Sequence, residues 1–521
     1  MTQSVDNFAL LPLYAAAGAA LLVLVVEVTF GRFAMPAGIL GGLATIGGAV
    51  TVALRSSDSG RGRLSTFCGG PVSPDCSWVA SPRAAVVAVL FAGLTIGVLA
   101  LSAPALRKGL APAGEFCFLL TCSMAGGVVI AYAGDLITLI VGLETLTLPL
   151  YVLVGLRRFT PRDRPTSTGA SAAVTFFLIS VVSTALALLG AALLYAATGA
   201  LNLAALTGGA GPLAPLGAVG SALIVIGFAF KVAAVPLHAW APATYDGAPV
   251  PVAAYLSTAS KLGGVIALAA VAQRLDTGPL VAVLAVLTMT IGNLVALRQT
   301  RMVRLLAWSS VAQAGYIIAP LAVGAAGAQA AIAYAVFFVL LEFVAFGTVV
   351  ALRGPDGDGG DLTDYRGAGR RNPWLGAALV LAFAGLAGLP PGLAGLFAKV
   401  TIVASLIDNG WGWLAGVVAL NAVIALAYYV RAAALLYAQP PPIVTALPEV
   451  DAAPTAGTSP VSPAGMSPAT TTMTAPIVEP DLLESPRVEV PRAVGAAITV
   501  ATVITIVLGF TPQWIFDSLT G

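Results

Sequence analysis

Three of the four lysines in this 521-residue chain, Lys231, Lys261 and Lys399, lie inside long apolar runs, and Glu144 does too. Amines and carboxylates exchange protons. Either one at the centre of a bilayer costs about 2.5–3.5 kcal/mol on insertion scales, so such groups persist where they face water or other protein. The set therefore implies proton or ion passage. Glu144 and Lys231 would hold each other charged, because an opposite charge favours both ionised forms; drawn apart, burial dominates and Lys231 becomes willing to release its proton. Lys261 would accept it by way of the hydroxyls of Ser257, Thr258 and Ser260, and Lys399 would pass a proton to the outer side. Moving one charge against about 100 mV takes roughly 2.3 kcal/mol, which is the scale of a pKa change of about one to two units. His238, the single histidine, is a possible relay on nearly the face of Lys231 if the helix runs through Pro236. A structural hydrogen bond is an equal alternative for it. Asp135 reads as an interfacial carboxylate and Arg431 as a snorkelling cation.

These residues need helices to hold them. The chain is 58% apolar and only 9% charged, against about 25% charged in a soluble domain. That composition predicts an all-α polytopic membrane protein. A net charge of +2 gives no sign of nucleic-acid binding, so the expected partners are the lipid bilayer and other membrane subunits. A crossing needs about 20 residues, and fourteen spans fall near 8–30, 34–54, 82–102, 113–132, 135–156, 169–198, 213–237, 250–272, 279–298, 302–324, 328–352, 374–408, 411–437 and 493–512. The first run follows Asp6 instead of a basic segment and exceeds a signal h-region, so it reads as a retained first helix.

The run 374–408 is too long for one crossing and contains Gly388, Pro390, Pro391, Gly392 and Gly395 just before Lys399; Lys231 is followed by Pro236. Both helices, the seventh and the twelfth, are expected to be broken, which membranes tolerate where the freed backbone lines a cavity. The pairing suggests two five-helix repeats, helices 4–8 in 113–272 and helices 9–13 in 279–437, inverted because five is odd. Residues 1–112 hold helices 1–3 with an outer loop at 55–81, and 493–521 hold the last helix. Between them, 438–492 carries twelve of the 35 prolines, which predicts a disordered cytoplasmic loop.

Basic residues orient the chain. With the N-terminus outside, inner loops receive Arg157, Arg158, Arg162, Arg164, Arg298, Arg301, Arg304, Arg353, Arg366, Arg370 and Arg371, and the full tally is 16 inside, 5 outside and 4 within spans. Both termini are then extracytoplasmic. Cys68 and Cys76 fall in an outer loop where a disulfide is permitted, with two unpaired thiols as the equal alternative. Cys117 and Cys122 read as packing residues. No spacing suggests a metal or iron–sulfur site, nor a nucleophile with a base, so no catalytic centre is expected within the chain.

The stretch Gly227 to Lys261, GFAFKVAAVPLHAWAPATYDGAPVPVAAYLSTASK, resembles the core of the proton-translocating membrane subunits of bacterial respiratory complex I (NADH-quinone oxidoreductase) and of the related multisubunit cation/proton antiporters. GLETLTLPLY at 142–151, RMVRLLAWSSVAQAGY at 301–316 and GLPPGLAGLFAK at 388–399 fit the same family, and the resemblance covers about 110–435. Within it the chain looks like subunit N. It lacks the long lateral C-terminal helix of subunit L, and it has Lys399 where subunit M is expected to carry Glu. The D component of the multisubunit cation/proton antiporters is the alternative. The resemblance implies a multi-pass subunit of a bacterial plasma membrane that moves protons and holds no cofactor, while NADH, FMN, iron–sulfur clusters and quinone belong to partner subunits. Two positions depart from the family pattern: Ala243 replaces an Asp, and Gln313 a His. Glu342 stands where an uncharged amide is usual, an additional acid that would partner Lys399 or replace a lost relay group.

Overall fold

The computed structural model describes residues 5–56, 64–69, 75–156, 167–354, 357–439 and 489–519. Arg157, Arg158, Arg162, Arg164 and most of the proline-rich 438–492 loop lie outside the described residues. The remainder is almost wholly helical. In chain order come α1 (Leu11–Phe30), α2 (Ala34–Ser56), a hairpin of β1 (Ser65–Cys68) and β2 (Cys76–Val79), α3 (Pro82–Arg107), α4 (Ala113–Tyr132), α5 (Leu136–Gly155) and α6 (Ser167–Thr198). Then follow α7 (Ala214–Lys231), α8 (Trp240–Gly247), α9 (Val250–Tyr255), α10 (Lys261–Ala272), α11 (Gly278–Ala296), α12 (Met302–Ile318) and α13 (Ala325–Arg353). The chain closes with α14 (Ala368–Arg371), α15 (Pro373–Ala387), α16 (Leu393–Asp408), α17 (Gly412–Tyr437), α18 (Arg492–Phe510) and α19 (Gln513–Leu519).

Among the described residues, thirteen helical stretches are long and apolar enough to cross a membrane. The pair α15 and α16 makes a further, interrupted crossing, so the spans coincide with those read from hydropathy. Helix boundaries follow local chemistry. Ser81 and Asp135 cap α3 and α5 by accepting from the amides of Ala84 and Thr138, and Gly31 ends α1 in the left-handed conformation with its amide on Glu27 O. The hairpin is closed by a Cys68–Cys76 disulfide. Trp78 on it stacks on Tyr132 at 4.8 Å and donates to Ala9 O, tying the cap to α1 and α4.

Breaks occur in the fourth member of each five-helix set. Helix α7 stops at Lys231, and the segment to α8 contains Ala233 at φ 59° and a cis Val235–Pro236 bond. Its backbone is still satisfied, since Trp240 Nε1 donates to Phe230 O and Val235 N donates to Thr288 Oγ1. Helix α15 ends at Gly388, whose φ of 82° permits the turn into Pro390 and Pro391 before α16. A third irregularity has no Pro or Gly to mark it: residues Leu256–Ser260 form a π-helical turn between α9 and α10, so the eighth span is bulged directly before Lys261. Such bulges are frequent at functional sites.

At the centre stands α13, whose most apolar stretch is completely buried, against about a quarter for α1 and α18. On the face opposite the hairpin, Arg301 at the start of α12 pairs with Asp246 of α8 at 3.2 Å and with Asp358 at 3.0 Å. Burial works against its charge, but Asp358 and Asp246 outweigh it and hold the guanidinium above its ordinary pKa. Arg431 also lies here, donating to Leu297 O and Gln299 O at 2.7 Å, where it satisfies the carbonyls that end α11.

The membrane helices pack through glycines. A Cβ at Gly126 of α4 would lie 2.2 Å from Leu146 N of α5, whereas one at Gly93 meets nothing within 4 Å. Gly126→Val therefore destabilises the full-length protein by about 1–3 kcal/mol or more, read as a lowered thermal midpoint in detergent, while Gly93→Ala leaves the midpoint unchanged.

Candidate functional site

Lys231 is the last residue of α7, at a helix C-terminus where positive charge is favoured. Its ammonium has three donors, and all are used: Glu144 Oε1 accepts at 2.6 Å, Ser180 Oγ at 2.9 Å and Thr147 Oγ1 at 3.2 Å. Glu144 and Thr147 are three residues apart on α5 and share one face. Thr184, one turn beyond Ser180 on α6, donates to the same carboxylate oxygen. Tyr151 OH donates to Ser180 Oγ at 2.5 Å and lies 3.3 Å from Thr147 Oγ1, closing the ring of hydroxyls. The amine side chain is 3% exposed and the carboxylate 22%, so the pair runs from the interior toward the outer side of α5. Removing one partner of a buried pair costs about 3–5 kcal/mol, because the other is left uncompensated.

Lys261 opens α10 immediately after the π turn and is 1% exposed. Its Nζ donates to the carbonyl of Ser310 on α12 at 2.5 Å. Glu342 of α13 is fully buried and has Lys261 and Ser310 as electrostatic neighbours. Lys261 is the cation Glu342 faces in this structure, where the sequence offered Lys399 as its partner or the replacement of a lost relay group as its role. Lys261 sits close to Glu342 because α10 packs directly on α13.

Lys399 lies on α16 and reaches back across the break. It donates to Leu386 O at 2.9 Å and Ala387 O at 2.8 Å, the last carbonyls of α15, and its ammonium stands 4.8 Å from the Tyr316 ring. The broken helix supplies free carbonyls and the negative end of a dipole. Gln313 shares the site: Nε2 donates to Leu386 O at 2.9 Å and to Tyr429 OH at 3.1 Å, and Tyr334 OH donates to its Oε1 at 2.5 Å. Ser309 Oγ and Tyr429 OH are bonded at 2.5 Å.

The other sequence-named groups fall elsewhere. His238 is not on the face of Lys231, because α7 ends before it; its ring packs against Trp308 at 5.2 Å. The Ser257 and Thr258 hydroxyls donate back to Ala254 O at 3.0 and 2.6 Å, so in this conformation their hydrogens are not offered to either lysine. Asp135 is an N-cap, bonded to Thr138 N at 2.7 Å and Oγ1 at 2.8 Å. Among the described residues no cluster of three or more His, Cys, Asp or Glu is arranged to hold a metal. What sequence reading missed are Thr147, Tyr151, Ser180, Thr184, Tyr334 and Tyr429. Helical spacing held part of the signal, since Thr147 and Tyr151 lie three and seven residues from Glu144 and Ser180 precedes Thr184 by four.

A family profile described as NADH:quinone oxidoreductase/Mrp antiporter, TM matches residues 133–425. The chain is 59% identical over 470 residues to NADH-quinone oxidoreductase subunit N of Salinispora tropica, covering 85% of this chain and 87% of that protein. Its fold is similar to a chain of respiratory complex I from Thermus thermophilus, with TM-score 0.75 and 26% identity over 98% of this chain and 99% of that one. A chain of the Mrp complex from Dietzia gives TM-score 0.77 at 22% identity, over 99% and 96% respectively, a likeness of fold alone.

Ser180 is bonded to both Lys231 and Tyr151. Ser180→Ala is expected to cost about 1–3 kcal/mol by leaving buried partners unmet. Combined with Tyr151→Phe it should cost less than the sum of the two single changes, a non-additivity checked by thermal melts of the four proteins of a double-mutant cycle.

Proposed function

Since the chain belongs to the NADH-quinone oxidoreductase subunit N family of proton-translocating membrane subunits, we propose that Glu144, Lys231, Lys261 and Lys399 form its proton path. In this reading NADH is oxidised and quinone reduced in partner subunits that hold FMN and iron–sulfur clusters. This chain sits beside the other antiporter-like and membrane subunits, has no catalytic centre of its own, and moves protons. The observation that carries the reading is the 2.6 Å Glu144–Lys231 ion pair at the end of a broken membrane helix.

The pair is the switch. Closed, the carboxylate and two hydroxyls hold Lys231 as an ammonium. Opened, the amine is left in an apolar surround, where the charged form is disfavoured, and it gives its proton inward. Lys261 takes the proton next. Lys399, held by backbone carbonyls instead of a carboxylate, is the exit group: its acceptors solvate an ammonium without adding a full negative charge, so release leaves no buried anion. The two five-helix sets, each with its break in the fourth member, support an inverted repeat. The Arg-rich face carrying Arg298, Arg301, Arg304, Arg353, Arg366, Arg370 and Arg371 supports a cytoplasmic assignment for that side, with both termini outside a bacterial plasma membrane.

High identity to a protein named subunit N supports the complex I reading over the D component of a cation/proton antiporter, to which the Mrp likeness gives a shared fold only. Lys231→Ala tests the path. In inverted vesicles carrying the variant in its assembled complex, NADH-driven proton uptake is expected to fall sharply. Undiminished uptake contradicts the role of Lys231, and sodium-dependent proton exchange in vesicles lacking NADH dehydrogenase would favour the antiporter reading.

A further inference from the structure

Glu342 is a buried acid that this four-residue path does not use. It is 0% exposed on α13, and among the described residues neither carboxylate oxygen completes a hydrogen bond. Two buried hydroxyls beside it are in the same condition, Ser310 Oγ on α12 and Tyr245 OH on α8. The three are neighbours: the Ser310 hydroxyl faces both the carboxylate and the phenol. Lys261 and Tyr429 are also within electrostatic reach of the carboxylate. Lys261 touches this cluster through the Ser310 carbonyl, which among the described residues takes one of its three ammonium hydrogens. Tyr429 leads onward, through Gln313, to the Leu386 carbonyl that also holds Lys399.

A lone carboxylate in so dry a place is strongly disfavoured unless it is protonated or faces a cation. Glu342 has a cation on one side and a hydrogen-bonded chain on the other. Gln313, which stands in that chain, is an amide with no proton to release, so it positions Tyr334 and Tyr429 but does not carry.

We propose that Glu342 is a proton-carrying residue that joins Lys261 to Lys399 by way of Tyr429, which Gln313 holds in place, so that the route crosses the central helix at a carboxylate. Once the Ser310 side chain turns its hydroxyl onto Nζ, the Lys261 ammonium gives one proton to Ser310 Oγ while that hydroxyl gives its own to Glu342. One N–H bond and one O–H bond break, two O–H bonds form, and an ammonium–carboxylate pair becomes a neutral amine and a carboxylic acid. The acid then gives its proton to the Tyr429 hydroxyl as the phenol passes its own to a neutral Lys399 amine, whose Nζ shares the Leu386 carbonyl with Gln313. Two O–H bonds break, one O–H and one N–H bond form, and Glu342 returns to carboxylate as Lys261 is recharged from the Lys231 side. Charge within the cluster stays balanced at each stage.

The inference rests on the proton path proposed above, so Lys231→Ala is measured in parallel. Glu342→Gln, Glu342→Asp and Lys231→Ala are each placed in the assembled complex. Protons taken up per NADH oxidised are measured in inverted vesicles, and redox-induced infrared difference spectra are recorded on the same complexes. Expected are a lowered proton-to-NADH ratio in Glu342→Gln, recovery in Glu342→Asp, and loss in Glu342→Gln of a protonated-carboxyl stretch present in the unaltered complex. An unchanged ratio in Glu342→Gln beside a lowered one in Lys231→Ala overturns the role of Glu342 alone. An unchanged ratio in both overturns the underlying path. A lowered ratio with the carboxyl band intact assigns Glu342 to packing and overturns the proposal as well.

Discussion

An ammonium inside a membrane protein has to have its charge met at contact distance, and three amines here meet that demand in three different ways. Lys231 has a carboxylate and two hydroxyls, Lys399 the last two carbonyls of a half-helix and the face of Tyr316, and Lys261 a single carbonyl with Glu342 nearby. Each amine lies at a helix irregularity, and at Lys399 the break itself supplies the acceptors. An unbroken helix consumes its own carbonyls; the ends of α7 and α15 and the π turn before α10 release or reorient backbone at just these residues. Strip away the breaks and two of the three amines lose the geometry that holds them.

In the proposed path, the inequality among the three sites sets a direction. A carboxylate partner makes Lys231 a strong holder that changes character when the pair opens, because full charges in a poorly hydrated place interact more strongly than in water. Neutral carbonyls make Lys399 a weaker holder whose proton can leave without exposing an anion. Helix α16 packs directly on α13, the one completely buried span among the described residues, and α7 reaches it through α10, which packs on both. On the Arg-rich face, Arg301 ties Asp246 of the first five-helix set to Asp358 of the second, so motion at the first broken helix is mechanically linked to the loop that leads into the second.

Much of this was legible in the residues. Apolar runs of crossing length located the spans, since hydrocarbon thickness dictates them, and Pro with Gly beside Lys231 and Lys399 marked both breaks. The π turn left no comparable mark: Leu256–Ser260 has no Pro or Gly, and its conformation answers to tertiary packing. For the same reason the partner of Glu342 could not be read from the chain. Sequence distance cannot rank Lys261 against Lys399 when the decision depends on which helix lies against α13. His238 leaves the face expected of it because the helix, instead of continuing through Pro236, stops at Lys231. The hydroxyls around the Glu144–Lys231 pair were written at helical spacing, but Ser and Thr are common in membrane helices, where they satisfy their own backbone, so spacing alone did not distinguish Ser180 from its neighbours.

The central claim is that Lys231 must lose its proton, beyond pairing with Glu144. Lys231→Arg separates the two, because a guanidinium preserves the ion pair yet does not deprotonate in proteins. Measured as protons translocated per NADH oxidised in vesicles with the assembled complex, Lys231→Arg is predicted to assemble normally and to pump poorly. Wild-type stoichiometry from Lys231→Arg would contradict the account, leaving the pair as a structural clamp between α5 and α7.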